Sequence, residues 1–160
     1  MILTLGLGNL LLGDEGLGIH ALKLLEQNLI DQRINYCDGG TKGLSLLPFI
    51  EEASHILILD AVYATEAPGT IVELQEEQLN SQVPVKFSAH DIALPDLLAL
   101  LRFRKGNQIR LRLLGITPFQ MQPTTELSSP VRTSIDLMVL RAKEILMTWL
   151  QEEGEKSLCA

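Results

Sequence analysis

Glu15, Asp60 and His90 are the side chains whose types and surroundings suit chemistry. Glu15 stands beside Asp14 in the glycine-rich stretch Gly6-Leu7-Gly8-Asn9-Leu10-Leu11-Leu12-Gly13-Asp14-Glu15-Gly16-Leu17-Gly18. Asp60 follows the apolar run Ile56-Leu57-Ile58-Leu59, and His90 lies in Ser88-Ala89-His90-Asp91. Two carboxylates and an imidazole make an oxygen-and-nitrogen donor set for a divalent first-row metal such as nickel or zinc. Carboxylates can also move protons. Each residue has an ordinary structural role open to it as well. Glu15 would favour the positive end of a helix by about 0.3–1 kcal/mol, Asp60 could cap a turn, and His90 could be a satisfied histidine at a loop-to-helix junction. No HExxH motif or Cys/His cluster decides the matter, and spacing alone leaves open whether the three converge.

The elements that would position them can be read from periodicity. Ile2 to Leu7 is a short apolar run without helical spacing, as in a strand covered on both faces. After the glycine-rich turn, Leu17, Ala21, Leu24, Leu25 and Leu29 recur at helical intervals. Ile34 to Cys37 reads as a second strand, ended by Asp38-Gly39-Gly40-Thr41, and Gly43 to Ile50 as a short helix. The buried strand 56–59 runs into Asp60. Thr70 to Leu74 is a further strand, and Gln75 to Gln82 a polar surface connection. Ile92, Leu94, Leu97, Leu98 and Leu101 define a helix capped by Asp91, with Pro95 in its first turn. Ile109 to Ile116 alternates Arg110 and Arg112 with apolar residues, as near a sheet edge. A last helix is expected from Ser129 as cap and Pro130 to Gly154, with Trp149 packing it.

Strands alternating with helices imply an α/β fold, a three-layer α/β/α sandwich around a mostly parallel twisted sheet of about five strands. In such sheets ligands sit beyond the carboxyl ends of the strands, where the strand order switches direction. Glu15, Asp38, Asp60 and His90 all follow strands or enter helices, so one crevice could collect them.

The 160 residues suit one domain over 1–160, with about 153–160 as a fraying tail. A hydrophobic content of 46% against 21% charged argues for a globular core, and aromatics at 4% make that core aliphatic. The net charge of -7 argues against nucleic-acid binding, which needs a basic face. Cys37 and Cys159 have no CxxC spacing, so a disulfide framework or zinc knuckle is not expected, and a reducing cytoplasm fits. Cys37 reads as a small core residue rather than a nucleophile. The apolar N-terminus has no basic residues before it and reads as a strand rather than a signal peptide. No apolar run reaches the ~18 residues of a membrane span. Arg102, Arg104, Lys105, Arg110 and Arg112 form a local basic group, read as solvating a helix end and guarding a sheet edge.

The glycine loop invites a nucleotide reading, since phosphate can rest on a helix N-terminus. Leu11 stands where the third glycine of a dinucleotide fingerprint belongs, no GK[ST] follows, and Asp14 and Glu15 would repel phosphate. Covalent proteolysis lacks a GxSxG motif or an activated cysteine pattern.

Taken together, the blocks Gly6 to Gly18, Asp38-Gly39-Gly40-Thr41, Leu59-Asp60-Ala61 and Ser88-Ala89-His90, with Ala67-Pro68-Gly69-Thr70 and Gly115-Ile116-Thr117-Pro118, resemble the hydrogenase maturation proteases in order and spacing. The resemblance implies a cytoplasmic endopeptidase that removes a C-terminal extension from the large-subunit precursor of a nickel-iron hydrogenase after nickel insertion. It implies that nickel comes with the substrate and that no cofactor is permanently bound. Glu15, Asp60 and His90 match the family's metal-contacting positions, and Asp38-Gly39-Gly40-Thr41 its substrate-facing loop. Asp14 is expected to be a turn residue or a helper. A monomer is expected. The competing functions are a small-molecule or nucleotide-dependent enzyme using the same crevice, and a noncatalytic domain that recognises a metal-bearing partner.

Overall fold

The computed structural model describes residues 1–80, 86–87 and 109–158. His90, the helix expected over 92–101, Arg102, Arg104, Lys105 and Cys159 lie outside the described residues. Strands β1 (Ile2–Leu7), β2 (Ile34–Gly40), β3 (His55–Tyr63), β4 (Ile71–Gln75), β5 (Lys86–Phe87) and β6 (Arg110–Ile116) combine with helices α1 (Leu17–Asn28), α2 (Leu47–Glu51), α3 (Glu76–Asn80) and α4 (Ser129–Leu158). Turns of 3-10 helix over Gly13–Gly16 and Gly43–Leu46 lead into α1 and α2.

The sheet order is β2-β1-β3-β6-β4, with β5 pairing off this path with β3. β2, β1, β3 and β6 are parallel, and β4 runs antiparallel along β6. From β1 the chain goes first to β2 on one side and then to β3 on the other, so the strand order switches between β1 and β3. Fully covered parallel strands need apolar residues on both faces. β3 meets that need, with every residue from His55 to Val62 buried. Leu57, Leu59 and Ala61 join the core shared with α1 and α4, while Ile56, Ile58 and Val62 join a second core that includes Leu46 and Ile50 from the region of α2. Removing a leucine such as Leu57 or Leu59 fully from water stabilises the fold by roughly 1.5–3 kcal/mol.

Two expectations change and one is refined. β6 lies near the sheet edge as expected, with β4 paired antiparallel along its outer side as the edge strand itself. Arg112 reaches Glu73 of β4 at 2.9 Å, and Arg110 pairs with Glu152 of α4. The polar connection after β4 contains α3, whose approach is tied by the Gln75 N–H donating to Gln78 Oε1 at 2.9 Å. Finally, α4 runs through Gly154 to Leu158. A helical glycine costs about 1 kcal/mol relative to alanine. The preceding turn is anchored by Arg110 on Glu152 and by the Ser54 hydroxyl donating to Glu153 at 3.0 Å. Trp149 is buried in the core as expected, its ring 5.1 Å from that of His55. No helix among the described residues is long and apolar enough to cross a membrane.

Candidate active site

Close backbone packing brings the glycine-rich loop to the switch point. A Cβ on Gly8 would lie 1.8 Å from the Glu15 carbonyl oxygen, and one on Gly18 would lie 2.2 Å from the Leu59 carbonyl and 2.4 Å from that of Leu7. No side chain fits in either place. Gly8 also has φ +122°, which L side chains rarely adopt. The first turn of α1 therefore lies directly on the carboxyl end of β1 and the middle of β3, which runs on through Asp60 to Tyr63 rather than ending at the acid as its sequence suggested. Glu15 is set three residues before Gly18, and Asp60 one residue after Leu59. Both carboxylates are held out of water, at 1% and 2% exposure. One Asp60 oxygen accepts from the Ala61 N–H at 2.8 Å.

The Asp38-Gly39-Gly40 segment reaches the same end of the sheet from the other side of β1. Asp38 pairs in register with Gly6 and Gly40 with Leu7, and the Gly8 N–H donates to the Gly40 carbonyl at 3.0 Å. The Asp38 side chain is exposed, and Thr41 follows it into solvent. Lys42 Nζ donates to the Asp38 carbonyl at 2.7 Å and steadies the turn. Glu15, Asp60 and the 38–41 segment thus share one end of the sheet, whereas His90 lies outside the described residues. Among the described residues no group of three His, Cys, Asp or Glu side chains is spaced to hold a metal ion.

The neighbouring carboxylates Asp14 and Glu15 have different surroundings. Asp14 is completely buried, and its oxygens accept from the Phe119 N–H (2.9 Å), the Gln120 N–H (3.0 Å), the Ser128 N–H (2.7 Å) and the Ser128 hydroxyl (2.7 Å). Main-chain bonds run alongside, from Gly13 N–H to the Thr124 carbonyl at 2.7 Å and from Thr124 N–H to the Leu11 carbonyl at 3.1 Å. Asp14 is a latch between the glycine loop and the segment that leads from β6 to α4. Hydrogen bonds to a charged group contribute about 1.5–3 kcal/mol each, so the latch makes the turn carrying Glu15 rigid. Sequence reading missed Ser128 because Ser129-Pro130 supplies a complete helix-start signal without it. In the structure Ser128 sits at the cap, with its carbonyl accepting from Arg132 N–H at 2.9 Å, while its hydroxyl turns to Asp14. No local pattern joins residues 114 positions apart.

The half-buried Cys37 lies on β2, and burial pushes its thiol pKa up, the opposite of what an activated nucleophile needs.

The family model for hydrogenase maturation proteases matches residues 19–145. The chain belongs to the hydrogenase maturation protease family. The match includes Asp60 and His90 and starts just after the glycine loop. Longer similarities include that loop. The hydrogenase 2 maturation protease of Escherichia coli (strain K12) is 33% identical over 159 residues, covering 98% of this chain and 94% of its own. The hydrogenase expression/formation protein HupD of Rhodobacter capsulatus is 31% identical over 151 residues, covering 92% and 72%. Among solved structures, the hydrogenase maturating endopeptidase HybD from E. coli superposes with a TM-score of 0.82 at 33% identity, covering 96% of this chain and 93% of that one. The nickel-iron hydrogenase maturation protease HybD from Thermococcus kodakarensis gives 0.77 at 25%, covering 90% and 97%. This protease is therefore a hydrolase, an endopeptidase of hydrogenase maturation, built on the α/β sheet expected from its sequence.

Proposed function

We propose that the protease removes the C-terminal extension of a nickel-iron hydrogenase large-subunit precursor once nickel is in place, reading the metal with Glu15, Asp60 and His90. Nickel arrives as part of the substrate. The observation that carries this reading is the burial of Glu15, in the turn that leads into α1, and of Asp60, within β3, at the switch between β1 and β3. Carboxylate oxygens are ligands for divalent first-row metals, and two of them at one end of the sheet supply the oxygen part of such a set. His90 would complete a set of oxygen and nitrogen donors suited to nickel. Asp38, Gly39, Gly40 and Thr41 would face the polypeptide, since glycine backbone permits close approach. A precursor lacking nickel would leave the carboxylates without their cation and its scissile bond without an anchor. The same reading has residues 1–160 working as one monomeric domain in the cytoplasm.

The experiment offers purified protease the large-subunit precursor in nickel-loaded and nickel-free forms and measures product mass. The loaded precursor should be shortened and the nickel-free form left intact. His90→Ala should keep the circular-dichroism spectrum and Tm of the parent and lose cleavage. Equal cutting of both precursors would overturn nickel recognition. A precursor that binds without being shortened would point to a recognition module instead.

A further inference from the structure

Ser128 holds both oxygens of Asp14. Its N–H donates to Oδ1 and its hydroxyl to Oδ2, each at 2.7 Å, while the Phe119 and Gln120 N–H groups donate to Oδ2 at 2.9 and 3.0 Å. Donors on both oxygens fix the plane of the carboxylate as well as its place. All four groups present a proton, so only a side chain that accepts at both oxygens satisfies them, as an ionised carboxylate does. An asparagine would aim its NH2 at one set of donors. The Ser128 hydroxyl is the informative member of the set. The side-chain oxygen of a helix cap ordinarily accepts from an N–H of its own helix, but this hydroxyl donates away from α4, to a residue 114 positions back along the chain. The Ser128 carbonyl already serves the helix start by accepting from Arg132 N–H at 2.9 Å. Capping therefore does not account for the hydroxyl.

Asp14 shares the turn Gly13–Gly16 with Glu15. The Gly13 N–H donates to the Thr124 carbonyl at 2.7 Å and the Asp14 N–H to the Gln120 carbonyl at 3.2 Å, so main-chain bonds tie the same turn to the same connection between β6 and α4. The Glu15 carbonyl lies against Gly8, where no Cβ fits. The main chain at Glu15 is thus fixed by two parts of the fold, the loop after β1 and the connection that ends at Ser128. The geometry points to Ser128 as a positioning residue for the processing reaction, setting through Asp14 the place from which Glu15 meets the nickel of the substrate. The inference rests on the metal-reading role proposed above for Glu15. A misplacement of about 1 Å can cost on the order of 100-fold in rate, whereas three of the four donors to Asp14 remain when the hydroxyl is lost. The rate should therefore respond more than the fold.

The test uses the whole chain with nickel-loaded large-subunit precursor, with protease in excess so that slow single turnovers are measured, at a temperature well below the Tm of every variant. Ser128→Ala should keep the circular-dichroism spectrum of the parent and lower the cleavage rate at least about tenfold. In a Glu15→Gln background the same substitution should change the remaining rate by less than about twofold, because the group it positions has already been lost. Thr133→Ala removes another hydroxyl from the first turn of α4, one that donates to the Ser129 carbonyl at 2.9 Å and does not touch Asp14, and should leave the rate unchanged. An equal loss from Ser128→Ala in both backgrounds would overturn the inference, since independent effects add, and so would an equal loss from Thr133→Ala. An unchanged rate in Ser128→Ala would overturn it too, while a slow Glu15→Gln variant kept the metal-reading role intact. If Glu15→Gln cleaved as fast as the wild type, the metal-reading role would fall and the positioning with it.

Discussion

The two ends of the sheet handle buried and half-buried charge in opposite ways. At the carboxyl end, Asp14 is met by amide N–H groups and a hydroxyl, and Asp60 accepts from an amide. These donors are neutral, so the bonds fix the direction of a carboxylate without bringing a positive charge of their own. Towards the amino end, carboxylates meet guanidinium groups. Glu73 accepts from Arg112 at 2.9 Å and Arg141 at 2.8 Å, Arg141 also reaches Glu144 at 2.9 Å, and Arg110 pairs with Glu152. Glu73 and Glu144 together raise the Arg141 pKa above its ordinary value. A cleft of about 430 Å³ opens among these side chains, lined by Gln75, Arg110, Arg112, Arg141, Glu144 and Trp149. A large well-formed pocket is the usual default for a site. Here the concave end is occupied by its own ion pairs, and the end proposed as the active site carries carboxylates held by backbone donors.

Substitutions at the two ends should separate activity from stability. The largest effect belongs to the carboxyl end. Asp60→Asn or Glu15→Gln is expected to reduce processing of nickel-loaded precursor at least about 100-fold, near 2.7 kcal/mol of barrier. The folded circular-dichroism spectrum should be kept, because an amide has the shape of the carboxylate it replaces and still offers an oxygen to accept the Ala61 N–H at position 60. Processing assays with circular-dichroism spectra check both, and a variant that kept full activity would remove the distinction between the ends.

A middling effect belongs to Glu73. Its side chain is 22% exposed and holds two arginines, so Glu73→Gln should lower stability by about 1 kcal/mol. For a chain of this size that is a Tm decrease of roughly 2–4 °C. The processing rate should not change. A rate loss without a Tm change would mean that the amino-end network serves catalysis after all.

The smallest effect is expected at Asp31, just before β2. Hydrogen bonds from the Arg33 side chain and N–H hold its carboxyl down to about 2 from 3.8. A depressed carboxylate adds stability above its unfolded value and loses it as protons return, so this contribution is whole above pH 3.8 and disappears towards pH 2. Because the pair is exposed to solvent, Asp31→Asn should cost at most about 0.5 kcal/mol near neutrality. The wild type and the variant should converge in acid unfolding titrations as pH falls through that window. Curves that stayed parallel would show that the pair contributes nothing to stability.

The sequence alone determined what local residue type and period can express. A continuous apolar run marked β3 as a strand covered on both faces, helical spacing marked α1 and α4, and the glycine, Asp60 and His90 blocks carried the family. The need for glycine at positions 8 and 18 was visible as a motif, while its cause, the carbonyls of Glu15, Leu59 and Leu7 lying against them, was not. Tertiary structure alone decided that β4 is the edge strand beyond β6, because the antiparallel direction of that pairing is not written in the alternation of Arg110 and Arg112. It also carried α4 past Gly154, through anchors contributed by Ser54 and Arg110. Above all it separated Asp14 from Glu15. Adjacent in sequence and equal in chemistry, the two acids took different roles only when Ser128 and the Phe119-Gln120 amides were folded against one of them, since a carboxylate's role is set by the donors that surround it.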